Sequence, residues 1–207
     1  MEEPKSGVYS SQVIEFITVS DQFCKHLVRV PGYKPSEFIS VMQRLLPLLY
    51  LKAVSLPQLE SVFEEGNERF VREEEYNQVE SSVATLLGEL DSFEEPYDQY
   101  LHESGEPVAA SVSEYLADMY QDLKDCVLQY RTGTEDVMND AVWECSLNFE
   151  TAWGKKLLSV LRALHKIVYS GKDIDSREDS DSLSGDNSET DRSDWFISRR
   201  QNEYGDE

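Results

Sequence analysis

The sequence predicts an all-α protein: an antiparallel bundle of about five helices with a long C-terminal core helix and a disordered acidic tail. Between residues 134 and 170, apolar residues recur at steps of three and four, the spacing of one helix face. One helix of that length would run roughly 54 Å, so other helices must cover its apolar face. After Gly171 the chain is rich in Asp, Ser and Glu, which cannot bury enough surface to offset the entropy of ordering.

The first two helices are predicted over residues 8–30 and 35–55, because each apolar pattern is followed by a proline-containing break. The segment 45–57, LLPLLYLKAVSLP, is apolar nearly all round, which indicates contact with two neighbouring helices at once. We interpret it as core. A groove for a partner helix is the alternative.

The third helix is predicted over residues 73–90, inside a strongly acidic region. Fourteen Asp or Glu residues lie between positions 60 and 103, against two arginines. Residues 93–101 predict a short helical piece interrupted near Pro96.

Residues 108–131 predict a fourth helix, and the short turn 132–134 makes it the antiparallel neighbour of the long helix. Asp118 and Asp122 lie four apart on its polar side, where we expect solvated charges. The whole polar side contains Asp118, Gln121, Asp122 and Asp125.

Within the long helix, Gly154 costs about 1 kcal/mol relative to Ala, which predicts a tight helix crossing or a slight bend.

We divide the chain into a helical bundle domain, 8–170, and a tail, 171–207. The net charge is −22, and the tail has only twelve acidic and five basic residues, so the bundle itself is acidic. Binding to nucleic acid requires Lys and Arg to neutralise phosphates, so a nucleic-acid partner is excluded. An anionic membrane surface would repel such a chain as well.

The three cysteines, Cys24, Cys126 and Cys145, lie on predicted helices without CxxC spacing, as expected of buried thiols in a reducing compartment. The first residues, MEEPKSG, lack the basic and apolar regions of a signal peptide, and no apolar run reaches 18 residues. We therefore expect a cytoplasmic protein without membrane association.

A short motif at 194–200, DWFISRR, interrupts the polar tail. Three large apolar residues beside an arginine pair have the composition of a docking motif. The predicted partner-binding residues are Trp195, Phe196, Ile197, Arg199 and Arg200. A protein partner is the favoured target, and return of the motif onto its own bundle is the alternative.

Two acidic segments, 64–68 (EEGNE) and 95–98 (EPYD), resemble the EExxE…ExxD signature of the all-α nucleoside triphosphate pyrophosphatases. That resemblance implies carboxylates that converge from two helices to hold Mg²⁺ over phosphates. Gly66 and Pro96 lie inside the two half-motifs, where the signature requires helix. We assign no catalytic, cofactor-binding or metal-binding residue.

Four other stretches are similar to an uncharacterised bacterial family, the domain of unknown function 5063, over roughly residues 8–170. They are LLPLLYLKAVSLP (45–57), YQDLKD (120–125), MND (138–140) and FETAWGKKLLSVLRALH (149–165). The resemblance implies an all-helical fold. The family has no assigned activity, so the resemblance transfers no functional residue.

The sequence thus favours a non-catalytic protein-interaction or adaptor module with a protein partner and no cofactor. A divalent-metal-dependent phosphohydrolase is the first alternative. The second is an acidic binder of basic partners or a nucleic-acid mimic, which the charge of −22 would serve. Oligomeric state stays open.

Overall fold

The computed structural model describes residues 7–63, 68–95, 108–171 and 173–175, and these residues are mainly helical. The α-helices of the described residues are α1 (Ser11–Val28), α2 (Pro35–Val54), α3 (Glu73–Leu87), α4 (Val112–Thr132), α5 (Glu135–Asn148) and α6 (Gly154–Val168). Short 3₁₀ turns cover Gly7–Tyr9, Val30–Gly32 and Gly88–Asp91. The predicted all-α bundle is confirmed, and its long C-terminal helix consists of α5, a five-residue π turn and α6.

The hairpin of α4 and α5 is confirmed as the central antiparallel pair. Gly133 adopts a left-handed conformation (φ 95°) between the two helices, as a helix C-cap requires. Asn148 near the end of α5 reaches back to Asp122 in the middle of α4, which fixes the antiparallel register. α4 also packs against α1, α3 and α6, so it is the helix around which the others assemble.

The long C-terminal helix runs without interruption from Glu135 to Val168, as predicted, but it is not α-helical throughout. Residues Phe149–Trp153 form a π-helical turn, in which Gly154 donates its backbone N–H to the Phe149 carbonyl five residues back. A Cβ on Gly154 would lie 2.4 Å from that carbonyl oxygen, so the turn requires glycine. The wider turn also shifts the apolar stripe: Trp153 is fully buried, whereas the preceding residue, Ala152, is exposed.

A two-stranded sheet replaces the first part of the helical piece predicted over 93–101. Strands β1 (Ser92–Glu95) and β2 (Val108–Ser111) pair antiparallel, with Ser92 opposite Ser111 and Glu95 opposite Val108. Phe93 packs edge-on against Tyr115 of α4 at 5.7 Å between ring centroids. The prediction failed because the strand is stabilised by partners that are distant in sequence.

The core is formed by the inner faces of all six helices. Trp153 stacks on Phe16 of α1 at 6.5 Å and donates its indole N–H to the Cys145 carbonyl oxygen at 3.0 Å. The three cysteines are free and buried, as predicted. Within the described residues, no helix combines the length and apolar character needed to cross a bilayer.

Aspartates outside the helices cap two helix N-termini. Asp91 accepts hydrogen bonds from the backbone N–H and the hydroxyl of Ser113 in the first turn of α4, at 2.8 and 2.7 Å. Asp175 does the same for Ser36 at the start of α2, at 3.0 and 2.7 Å. A carboxylate at this position satisfies free N–H groups and matches the positive end of the helix dipole.

Candidate functional site

The connector between α2 and α3, residues 55–72, is non-helical where it is described, and two buried aspartates hold its two sides. On one side, Val62 and Phe63 donate their backbone N–H groups to the two carboxylate oxygens of Asp140, both at 2.8 Å. On the other side, Phe70 and Val71 donate theirs to a single oxygen, Oδ1 of Asp125, at 2.8 and 2.9 Å.

Two amide side chains strengthen these anchors. Asn139 donates to the carbonyl oxygen of Glu60 at 2.7 Å, and Gln129 donates to that of Glu68 at 2.9 Å. Because α4 and α5 are antiparallel neighbours, the Asp125 and Asp140 anchors face the same connector. The backbone groups of a loop lack the regular hydrogen-bond partners of a helix or sheet. Here, polar side chains of α4 and α5 serve as those partners.

A small cavity lies between α4 and α5, next to the Asp125 anchor. Its volume is about 20 Å³, enough for one group the size of a water molecule. Its lining residues are Arg69, Asp122, Asp125, Cys126, Gln129, Ala141, Glu144, Cys145 and Asn148. Asn148 donates its amide to Asp122 at 3.2 Å across the cavity.

Burial governs the titration of the two aspartates in this cavity. It raises the pKa of Asp122 to about 6, against the opposing effects of Arg69 and the Asn148 amide. Burial also raises the pKa of Asp125, although the N–H groups of Val71 and Phe70 favour its charged form. A carboxyl group shifted in this direction is protonated at a higher pH than in the unfolded chain.

The Cys145 thiol in the cavity is not activated. The hydrogen bond that the Cys145 thiol donates to Cys126, together with burial, raises the pKa of Cys145 well above its usual range. Burial likewise raises the pKa of Cys24 on α1. Protonated, buried thiols are poor nucleophiles and poor metal ligands. Within the described residues, no group of three or more His, Cys, Asp or Glu side chains is arranged to hold a metal ion.

The polar side of α4 is not the solvated surface that we expected. Asp125 is 6% exposed, and Asp122 is half-buried against α5. Asp118, one turn earlier, accepts hydrogen bonds from the Tyr76 hydroxyl of α3 at 2.9 Å and from the Lys156 ammonium of α6. The prediction failed because the polar side meets polar atoms of the connector and of other helices rather than water.

The other predicted site residues fall largely outside the described residues. This holds for Trp195, Phe196, Ile197, Arg199 and Arg200, which remain predictions. Of the pyrophosphatase-like acids, Glu64, Glu65 and Asp98 are outside as well. The two that are described are not helical: Glu68 lies in the connector and Glu95 ends β1. The signature requires both half-motifs on helices.

The outer face of α2 is open to solvent. Leu46, Leu49 and Ala53 face the core, and α2 packs against both α1 and α6, as predicted for 45–57. Leu48 and Leu51 nevertheless remain 40% and 55% exposed. Val54, another three residues on, is 52% exposed. We call these three residues, Leu48, Leu51 and Val54, the α2 stripe.

Comparison with known proteins agrees with this architecture. The family described as "Domain of unknown function (DUF5063)" matches residues 7–170. The chain belongs to this family. The crystal structure of protein BF1032 from Bacteroides fragilis is similar to it, with a TM-score of 0.72 and 37% sequence identity over 81% of this chain and 98% of that one. No curated protein matches the chain.

The stretches that carry the resemblance to DUF5063 now have structural roles in this chain. MND (138–140) supplies the Asp140 anchor, and YQDLKD (120–125) supplies both cavity aspartates. FETAWG, at the start of 149–165, forms the π turn. LLPLLYLKAVSLP (45–57) contains the α2 stripe. The two anchors were not predictable from the sequence. The atoms that they bind are backbone N–H groups, which every residue except proline has, so no side-chain pattern indicates them.

Proposed function

We propose that the chain is a non-catalytic protein-interaction module. The observation that carries the proposal is the α2 stripe, three large apolar side chains left exposed at helical spacing. Residues three apart are neighbours on a helix surface, so Leu48, Leu51 and Val54 form one row. A contiguous exposed apolar row is typical of a surface that binds an amphipathic segment of another protein.

The polar surroundings of the stripe suit such an interface. Lys52, on the same helix, pairs with Glu15 of α1 at 2.6 Å, and Arg44 lies one turn before Leu48. Charged groups at the edge of an apolar row favour a defined orientation of the partner. Several aspartates of the bundle, by contrast, are engaged within the fold: Asp140, for example, accepts connector backbone N–H groups with both oxygens.

The tail motif supplies the second part of the proposal. Trp195, Phe196 and Ile197, followed by Arg199 and Arg200, would contact the same partner through an aromatic anchor and two cations. We also propose a cytoplasmic location, which the three buried free thiols support because a reducing compartment keeps thiols unpaired.

The test compares the full chain with Leu51→Glu, using Leu147→Glu as the matched control. Leu147 on α5 is 43% exposed, so its replacement adds the same charge at an open position of another helix. Each variant would be used for affinity capture and then titrated against the purified partner. We expect Leu51→Glu to weaken binding by at least about tenfold, the effect of losing 1.4 kcal/mol, and Leu147→Glu to leave it unchanged.

A third chain ending at position 176 tests the tail while keeping Asp175, which caps α2. Weaker binding of that chain would support a role for the tail motif. If Leu51→Glu and the shortened chain both bind every partner as the full chain does, the proposed interaction module is wrong. Circular dichroism spectra of all three variants would show that the helices are retained.

A further inference from the structure

The charged residues of the bundle are segregated between its helices. α3 and α5 each have four Asp or Glu residues and no Lys or Arg. α6 is the reverse, with four Lys or Arg residues and no acidic one in 15 positions. α2, which packs against α6, has two basic residues and one acidic residue. A chain with a net charge of −22 therefore contains one pair of adjacent helices that is cationic.

The outer face of α6 combines cations with two large apolar side chains. Its exposed residues recur at steps of three and four, so they form one row, which ends at the C-cap of the helix. We call it the α6 row, and its members are Lys155, Leu158, Arg162, Lys166 and Tyr169. Leu158 and Tyr169 are 49% and 72% exposed, so the row is apolar as well as basic.

The cations of this face have no carboxylate partner among the described residues. The four ion pairs found there use other Lys and Arg side chains, and none involves Lys155, Lys166 or Arg44 of α2. Arg162 donates to the backbone carbonyl oxygen of Glu94 at 2.7 Å, and a carbonyl group does not neutralise its charge. These cations suit carboxylates of a second molecule, because hydrogen bonds between charged groups are the strong ones.

The α6 row and the α2 stripe lie on neighbouring helices. The Gln43 amide of α2 donates to the Leu164 carbonyl oxygen of α6 at 3.5 Å. Two turns later, Tyr50 packs edge-on against Phe149, which precedes α6, at 5.3 Å between ring centroids. The two helices are therefore antiparallel. Val54 of the α2 stripe lies one turn after Tyr50, so the stripe reaches the side of α2 that faces α6.

We propose that the segment that binds the α2 stripe is an acidic amphipathic helix of another protein, whose carboxylates meet the cations of the α6 row. The inference rests on the proposed function and specifies the chemistry of the partner. Apolar side chains in both rows favour a protein helix over a nucleic acid, which is held mainly through its phosphates. The net charge of the chain does not oppose such a partner, because charges farther away than about 8 Å are largely screened at physiological ionic strength.

The test is an amide-resolved NMR titration of the full chain with three synthetic helical peptides. The first has leucines along one side of the helix and glutamates on its flanks. The second has the same leucines with lysine in place of glutamate, and the third keeps the glutamates but has serine in place of leucine. We expect the first peptide to give saturable shifts confined to α2 and α6, with a Kd below about 1 mM. It should bind at least about tenfold more tightly than the third, and added salt should weaken it.

Charge variants locate the contact on α6. The double variant Lys155→Gln, Lys166→Gln removes two cations of the α6 row and keeps the α2 stripe, so the affinity for the first peptide should fall about tenfold. The double variant Arg29→Gln, Arg131→Gln is the matched control. It removes the same charge at exposed positions of other parts of the bundle, and it should leave the affinity unchanged.

The outcomes distinguish this inference from the proposed function. Binding of the second peptide to α2 in place of the first, with loss of that binding in Leu51→Glu, would retain the interaction surface and overturn the acidic partner. Equal affinities for the first and third peptides would show that charge alone attracts them, which would overturn the amphipathic partner. The inference is also wrong if no peptide gives a saturable shift at millimolar concentration, whereas the proposed function is decided separately by the capture experiment.

Discussion

The two anchors of the connector have the same hydrogen-bonding role, yet the pKa values of their carboxyl groups are shifted in opposite directions. Asp140 and Asp125 are both buried, and each accepts two backbone N–H groups of the same connector. At Asp140, burial raises the pKa, but bonds from Val62, Phe63 and neighbouring side chains outweigh it, so the pKa lies below 3.8. At Asp125, burial prevails and the pKa is raised.

The difference shows that the distribution of hydrogen bonds decides the state of a buried carboxylate. Asp140 uses both oxygens, with further donors in the Asn139 amide at 3.0 Å and the Ser61 hydroxyl at 3.3 Å. Asp125 places both donors on one oxygen and leaves the other unpartnered within the described residues. The first anchor is therefore a stabilising element, whereas the second combines an anchor with a desolvated charge.

The largest effect is expected from Asp140→Ala. It leaves two backbone N–H groups of the connector without an acceptor and removes a charge that the site favours. We expect the free energy of unfolding to fall by about 3 kcal/mol, on the scale of hydrogen bonds to charged groups. Urea unfolding at pH 7 would measure it, and a loss below that of Asp125→Ala would contradict the ranking.

Asp125→Ala should cost less, about 1 to 2 kcal/mol, although it too removes the acceptor of two backbone bonds. The reason is that the substitution also eliminates the buried, unpartnered oxygen and the repulsion between the Asp125 and Asp122 carboxylates. The same urea experiment, with the two variants side by side, measures the difference between the anchors. An equal loss in both would show that the unpartnered oxygen carries no penalty.

The pH profile of stability provides the third test. The folded pKa of Asp122, about 6, lies above its ordinary value of 3.8, so the folded chain binds more protons between these values. Stability should therefore rise as the pH falls from 7 towards 4, by on the order of 1 kcal/mol. Below 3.8 it should fall again, as Asp140 becomes protonated. Asp122→Asn should reduce the rise to the part that the raised pKa of Asp125 contributes, and it should keep the fall. An unchanged profile would contradict the assignment.

The smallest and most local difference between the two anchors is expected in the hydrogen exchange of the backbone amides that they bind. The amides of Val62 and Phe63 donate to Asp140, whose two oxygens both have donors. The amides of Phe70 and Val71 donate to Asp125, which has one unpartnered oxygen. We expect the first pair to exchange about tenfold more slowly, which corresponds to 1.4 kcal/mol of local stability. Faster exchange of Val62 and Phe63 would reverse the comparison.

Much of the fold was readable from periodicity, because helix burial follows a local repeat. The α4–α5 hairpin and the inner faces of α1 and α2 followed from apolar spacing and short turns. Gly154 marked the irregular point of the long helix, but a π turn and a bend have the same signal in a sequence. β1 was not predictable, since its partner Val108–Ser111 begins 13 positions after it ends.

Much less of the candidate site could be predicted from the sequence. Asp125 was correctly placed on the polar side of α4, but nothing in the sequence indicated that this side would be covered by a connector without periodicity. Asp140 lies in an unremarkable MND triplet, and its role depends on the backbone of Val62 and Phe63. Sites built from side chain and backbone together therefore require coordinates, whereas sites built from side chains alone can leave a motif.

The central claim is that the two anchors differ in charge preference although they share a hydrogen-bonding role. A carboxyl-carbon NMR titration of the Asp side chains tests it most directly. The account predicts a midpoint of about 6 for Asp122, one above 3.8 for Asp125 and one below 3.8 for Asp140. Coincident midpoints for Asp125 and Asp140, or a higher one for Asp140, would contradict it.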